Sequence, residues 1–276
     1  MRAEVYSGTM NATRPTLPQR VTAVLRAREY VVFFAIGLFA LDLAVPIVSG
    51  WMRLGGPFSE IMYSSWGALA DAVATRSPLI GAVWVVYVLL MTWFRAGYIR
   101  SLAGPTRLRP ASARQFLDLL AFQVILEVVG ALGMWGIVAA GDDALWANLA
   151  AFAQLAVYLV VLYADYIIVL GDVGPLRGIR LSARMVRLHF LLSAGILLVV
   201  TLVGQLSASL FTENVLTSLA RSLPMLLVQC VVMGAVIFVA DIVPVVLYQE
   251  DTANGRIVTA KAAKPDDSSD GKAQDA

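Results

Sequence analysis

The sequence predicts an all-α fold: a polytopic membrane helix bundle with six transmembrane helices and short interfacial amphipathic helices. Three observations support this prediction. Six apolar blocks fill most of the chain, each close to the length of about 20 residues that crosses a hydrocarbon core. Charged residues make up only 14% of the chain, against about 25% in soluble domains. The basic residues collect in every second gap between the blocks.

The apolar blocks are expected to be helices, because in lipid each segment must satisfy its own backbone hydrogen bonds. The predicted spans are residues 30–48, 79–98, 116–140, 144–170, 190–211 and 223–248. The first span lacks a small-residue cleavage site, so it is expected to stay in the protein rather than leave as a signal peptide. The predicted organisation is a cytoplasmic N-terminal segment (1–29), a six-helix membrane domain (30–249) and a disordered cytoplasmic tail (250–276).

The charge asymmetry between the gaps predicts the orientation of the chain. Of the 21 basic residues, 18 lie before the first block, in the second and fourth gaps, or in the tail, and 3 lie in the other gaps. Without the tail, which weighs least because it is long, the ratio is still 14 to 3. The positive-inside rule therefore predicts a multi-pass protein of the cell inner membrane with both termini in the cytoplasm.

Amphipathic segments flank the predicted spans. Residues 18–29 are expected to form a short interfacial helix, and residues 59–75 either an interfacial helix or a re-entrant segment. The segment 174–189 is predicted to be a helix that Asp172 or Gly174 caps and that has Pro175 in its first turn. Its basic residues follow a spacing of 3, 4 and 3, which places them on one face, where they are candidate contacts for anionic lipid headgroups: Arg177, Arg180, Arg184 and Arg187. The alternative is that these arginines only fix the topology.

The charged residues inside the apolar blocks form a candidate polar cluster. Burying a charge in a membrane is costly, so such residues usually face the bundle interior and pair with one another. The candidates are Arg95, Asp118, Glu127, Asp165 and Asp241. Arg95 is the basic residue placed to meet Asp165 and Asp241, so these three are expected to meet. The cluster would be either an ion-pair network that locks the helices or a polar path for a substrate or proton.

Signatures of catalysis and of cofactor binding are absent from the sequence. It has no zinc motif, no glycine-rich phosphate loop and no nucleophile elbow. Cys230 is the single cysteine, and His189 is the single histidine, which is expected to be an interfacial residue. We therefore expect no catalytic residues, no metal and no cofactor. The expected partners are membrane lipids with anionic headgroups at the cytoplasmic face and an unknown membrane protein, and nucleic acid is not expected.

Two short stretches resemble a known family. In residues 165–186 an apolar helix ends in an acidic-glycine turn, and a helix with a central serine, Ser182, follows before the next span. Residues 94–100 form a glycine-containing exit that precedes a basic loop. These features resemble bacterial six-helix membrane proteins related to the membrane domain of glycerophosphoryl diester phosphodiesterases. The resemblance implies six spans with both ends inside. It implies no hydrolase activity, because the catalytic barrel of some relatives is absent here.

Three hypotheses for function follow from the residues. The first is a non-enzymatic membrane protein with a structural, regulatory or lipid-associated role in the envelope. The second is a small transporter or channel that uses the intramembrane carboxylates; broken helices would favour it, and Pro244 is the best-placed breaker. The third, a membrane-embedded lipid enzyme, is the least favoured because catalytic motifs are missing.

Overall fold

The computed structural model describes residues 15–51, 73, 76, 78–104, 113–141, 143–215 and 219–257. In this part of the chain the regular structure is entirely helical. A single turn of 3-10 helix, Glu29–Val31, lies between α1 and α2. The α-helices are α1 (Leu17–Ala27), α2 (Val32–Trp51), α3 (Pro78–Ala103), α4 (Ala113–Ala139), α5 (Ala144–Val161), α6 (Ala164–Gly171), α7 (Pro175–Leu188), α8 (Phe190–Val215) and α9 (Leu219–Ala253).

Several of these helices could cross a membrane. Within the described residues, four helical segments have the required length and hydropathy: Gly81–Ala103, Ala113–Ala139, Ala144–Gly171 and Leu227–Ala253. A fifth is possible if α7 and the first half of α8, which meet at an angle of 104°, count as one broken span. The described part of the chain is therefore all-helical, with four to five helices long and apolar enough to cross a membrane, and the count of six spans stays a prediction.

The N-terminal helix α1 forms as the sequence predicts, and it packs on the end of α9. It begins after a capping box, in which the Thr16 side chain accepts from the backbone N–H of Gln19 and the Gln19 side chain accepts from the backbone N–H of Thr16. Arg20 on α1 donates to the carboxylate of Glu250 on α9 at 2.8 Å. This contact ties the start of the described chain to the end of its last helix.

The predicted tail boundary differs from the structure. The last helix continues to Ala253, and Ile257 is 1% exposed in a core cluster with Tyr163 and Leu247. The chain therefore stays packed on the bundle beyond residue 250, because the Ile257 side chain, which follows the helix, is buried. Residues 258–276 lie outside the described residues, as does the predicted segment 59–75 apart from Val73.

Pro244 does not break α9, in contrast to its predicted role. The helix runs through both Pro224 and Pro244. The interruption lies instead in the fourth predicted span, between α5 and α6 at Leu162 and Tyr163. A proline inside a helix removes one hydrogen bond, and the packing of neighbouring helices can tolerate that loss.

The largest core cluster of the described residues lies where α2, α3, α4, α6 and α9 meet, at the end of the bundle that also holds α1 and α7. Gly234 on α9 permits the closest approach, because a Cβ atom there would lie 2.6 Å from the Cα of Ile36 on α2. Small residues at such crossings allow membrane helices to pack backbone to backbone. This packing fixes α9, and with it Asp241, against the rest of the bundle.

Candidate functional site

Arg95 on α3 joins two carboxylates from different helices. Its Nε donates to Asp165 Oδ2 at 2.8 Å, and its Nη1 donates to Asp241 Oδ2 at 2.6 Å. All three side chains are mostly buried, with 19% of Arg95, 14% of Asp165 and 13% of Asp241 exposed. Asp165 belongs to the first turn of α6 and Asp241 to α9, so one guanidinium links three helices.

Two tyrosines complete the surroundings of Arg95. The Tyr166 hydroxyl accepts from Arg95 Nη2 at 2.9 Å and donates to Asp241. The Arg95 guanidinium carbon lies 5.3 Å from the ring centroid of Tyr166 and 5.4 Å from that of Tyr98, within the range of cation–π attraction. The Tyr98 hydroxyl is buried and has no hydrogen-bond partner within the described structure. The cation is therefore held by two carboxylates and two aromatic rings.

The interruption of the fourth span places Asp165 at a helix start. The Oδ1 atom of Asp165 accepts from the backbone N–H of Tyr166 at 2.8 Å. A carboxylate in the first turn of a helix is stabilised by the free N–H groups and the positive end of the helix dipole. Asp165 thus receives donors from the backbone of α6 and from Arg95.

Ser182 on α7 satisfies the backbone at this interruption. Its hydroxyl donates to the carbonyl of Val160 at 2.6 Å and accepts from the N–H of Tyr163 at 3.0 Å. Gly178 lies one turn earlier, where a Cβ atom would come within 2.6 Å of the Ile168 side chain. The small residues of α7 therefore let it lie directly against the broken span.

A cavity of about 160 Å³ lies beside the Arg95 cluster. Arg95, Tyr166 and Asp241 line it together with apolar side chains from α8, α9 and the α5–α6 junction: Leu162, Ile196, Leu197, Val200, Ile237 and Pro244. Asp165 is not among its lining residues. The cavity therefore joins a charged wall to a surface that suits hydrocarbon.

Two residues of the predicted cluster lie elsewhere, so the five candidates do not form one site. Asp118 lies 3.9 Å from Arg114 on its own helix α4. Glu127 is buried and accepts from Trp84 Nε1 and from Gln123 Nε2, both at 3.3 Å. The sequence shows that these carboxylates lie inside apolar blocks, but it does not show that their helix faces turn them to neighbours other than Arg95.

The helix α7 has the two faces that the sequence predicts. Gly174 is its N-cap and Pro175 begins it. Its four arginines, Arg177, Arg180, Arg184 and Arg187, are exposed. The buried face consists of Gly178, Ser182, Met185 and Val186. The arginine row therefore faces outward as a continuous basic surface.

His189 has a partner that the sequence did not suggest. Its Nε2 lies 2.9 Å from Asp251 Oδ2, and the Asp251 side chain is fully buried. Ser193 Oγ donates to the His189 carbonyl at 2.9 Å and lies 2.7 Å from the hydroxyl of Tyr163. Little in the sequence indicates this pairing, because the segment that contains Asp251 is predicted to be a disordered tail. This contact connects the α7–α8 corner to the end of α9.

The described residues contain no group of three or more histidine, cysteine, aspartate or glutamate side chains that could hold a metal ion. Comparison with protein-family models, with curated proteins and with solved structures finds no match for this chain.

Proposed function

We propose that this chain is a non-enzymatic inner-membrane protein with six spans and both termini in the cytoplasm, and that it has a lipid-associated role in the envelope. The exposed arginine row of α7 is the observation that carries this proposal. Three of its members, Arg180, Arg184 and Arg187, form no ion pair with any described residue. Anionic headgroups would supply the missing negative charge.

The position of α7 favours headgroup contact. The helix meets α8 at 104°, as expected for an interfacial helix that precedes a spanning one. Ser182 and Gly178 fix its buried face to the bundle, so the backbone that carries the arginine row is ordered before binding. Each arginine near an anionic surface contributes about 1 kcal/mol.

The test is retention of anionic lipid by the purified protein. The double variant Arg180→Gln/Arg184→Gln should retain less phosphatidylglycerol per protein after detergent extraction and washing. The matched control, Arg114→Gln/Arg256→Gln, removes the same charge from two exposed sites that already have carboxylate partners, and it should retain nearly the wild-type amount. Equal retention by the two double variants would show that the row has no special affinity.

A small transporter or channel is the second candidate function. The interruption at Leu162 and Tyr163 supports it, because discontinuous helices surround the substrate sites of many transporters. Against it, Arg95 already neutralises part of the charge of Asp165 and Asp241. Proteoliposomes should show solute or proton flux that Asp241→Asn abolishes, and the absence of flux across a panel of ions would remove this candidate.

The predicted topology has its own test. A green fluorescent protein fused after Ala276 should fluoresce, because it folds efficiently in the cytoplasm and not after export in the unfolded state. An alkaline phosphatase fused at the same position should be inactive. The opposite pair of results would place the C-terminus outside and reverse the predicted orientation.

A further inference from the structure

We propose that the cavity beside Arg95 and Asp241 binds a primary ammonium group that carries a short aliphatic chain. The cavity offers about 160 Å³, with Arg95, Tyr166 and Asp241 on one wall and apolar side chains such as Ile196, Val200 and Ile237 around the rest. This site is separate from the arginine row of α7, so the inference goes beyond the lipid-headgroup proposal.

The charges of Arg95, Asp165 and Asp241 favour the binding of a further cation. Arg95 supplies one positive charge, whereas Asp165 and Asp241 in their ionised forms would together supply two negative ones. Within the described residues, no second basic side chain forms an ion pair with either aspartate. An unbalanced charge in a low-dielectric interior is costly, and a bound ammonium would remove that imbalance.

The hydrogen-bonding groups around the cavity also favour an ammonium over an anion. Each nitrogen of the Arg95 guanidinium already donates to an aspartate or to Tyr166, so few donors remain for an anion. Acceptors are in excess. Pro244 has no N–H, so the Ala240 carbonyl loses its helical partner, and Ala240 lines the same cavity as Asp241. An ammonium brings three donors and no acceptor.

The apolar walls of the cavity explain why the proposed ligand carries an aliphatic chain. Leu162, Ile196, Val200 and Ile237 come from three different parts of the fold, and none of them offers a polar side-chain atom. The cavity of about 160 Å³ is far larger than the volume of about 10–15 Å³ that a single water molecule requires. The space beside the carboxylate therefore suits a few methylene groups. Ile196, Leu197 and Val200 keep partial exposure, so the cavity can be reached from outside the bundle.

The experiment compares three unbranched five-carbon probes with different polar groups: pentylamine, 1-pentanol and pentanoate. Each is titrated calorimetrically into the protein in nanodiscs of neutral lipid, and protein-free nanodiscs give the correction for partitioning. Pentylamine should bind about tenfold or more tightly than 1-pentanol, because an ammonium donates charge-assisted hydrogen bonds to Asp241. Pentanoate should bind most weakly. Equal affinities of amine and alcohol, or no binding of the amine, overturn the proposal.

Variants then assign the binding to this cavity. Asp241→Asn should bring the affinity for pentylamine down to that for 1-pentanol. Val200→Phe, which fills the cavity and leaves every charge in place, should weaken both ligands. Leu198→Phe is the matched control, because Leu198 on the same helix is 59% exposed and does not line the cavity.

The outcome is readable even if Asp241→Asn does not fold, because the three probes and the Val200→Phe and Leu198→Phe pair need no change in the charged cluster. Unchanged binding in Val200→Phe places the amine elsewhere and overturns the assignment. The Arg180→Gln/Arg184→Gln variant should keep its affinity for pentylamine, so failure of the lipid-headgroup proposal and failure of this inference are distinguishable.

Discussion

The hydroxyl of Ser182 donates a hydrogen bond of 2.6 Å to the carbonyl oxygen of Val160, which lies 22 residues earlier in the chain. The same hydroxyl accepts from the N–H of Tyr163 at 3.0 Å. A side chain of α7 thus replaces two backbone partners that a continuous helix would supply between α5 and α6. The interruption that places Asp165 at a helix start is therefore held open from outside the span.

Replacing Ser182 by alanine should destabilise the protein. The change leaves the Val160 carbonyl and the Tyr163 N–H without their partner in a buried site, which costs about 1–3 kcal/mol for each group. Ser101→Ala is the matched control, because the buried Ser101 hydroxyl only donates to Gly97 within its own helix. Thermal unfolding in detergent should show a lower Tm for Ser182→Ala than for Ser101→Ala. Equal Tm values would mean that the span closes its own hydrogen bonds without Ser182.

The contacts of Arg95 could be predicted from the sequence, whereas those of Ser182 could not. The pairing of Arg95 with Asp165 and Asp241 was predictable, because charges buried in an apolar bundle must pair and Arg95 was the available cation. The pairing of Ser182 with Val160 was not. A serine in an amphipathic helix carries no sign of which distant carbonyl it meets, and no proline or glycine marks the interruption.

The errors in the predicted site have a similar cause. Asp118 and Glu127 are predicted to join Arg95 because they lie inside apolar blocks, but a position within a block does not fix which neighbour a helix face meets. Asp251 was assigned to a disordered tail because polar residues follow the last apolar block. In the structure His189 contacts Asp251 and the Ile257 side chain is buried, so that segment packs on the bundle.

Gly234→Ala should separate α9 from α2. The new Cβ would lie 2.6 Å from the Cα and 2.8 Å from the backbone N of Ile36, and backbone atoms cannot move aside as a side chain can. Overpacking of this kind costs about 1–3 kcal/mol. In Gly195→Ala, a matched change on α8, the Cβ meets nothing within 4 Å and stability should be kept or slightly raised. Thermal unfolding should give a lower Tm for Gly234→Ala than for Gly195→Ala. A wild-type Tm for Gly234→Ala would mean that α9 and α2 can move apart without loss of stability.

Arg95→Gln and Asp165→Asn should differ sharply in effect. Removing the cation leaves two buried carboxylates facing each other, and breaking a buried ion pair from one side costs about 3–5 kcal/mol. Asp165→Asn instead brings the cluster to neutrality and keeps an oxygen that can accept from Arg95. The yield of monodisperse protein and its Tm should therefore fall strongly for Arg95→Gln and little for Asp165→Asn. A similar loss in both would show that the arrangement of the pair matters more than the charge balance.

His189→Ala should loosen the end of α9. The Asp251 side chain is fully buried, and His189 Nε2 lies 2.9 Å from its Oδ2 atom. The backbone carbonyl of Asp251 also accepts from the N–H groups of Arg256 and Ile257, so this residue anchors the segment that follows the helix. Loss of a hydrogen bond to a buried charged group costs about 1–3 kcal/mol.

The loss in His189→Ala should appear first as faster hydrogen exchange at Arg256 and Ile257, since the segment can open without unfolding the bundle. His189→Gln restores a donor near the same position and should recover part of the protection. Arg256→Gln is the control: its side chain is 53% exposed and lies 3.4 Å from Asp251, so its removal should change little. If Arg256→Gln raised exchange at Ile257 as much as His189→Ala, the arginine rather than the histidine would anchor the segment.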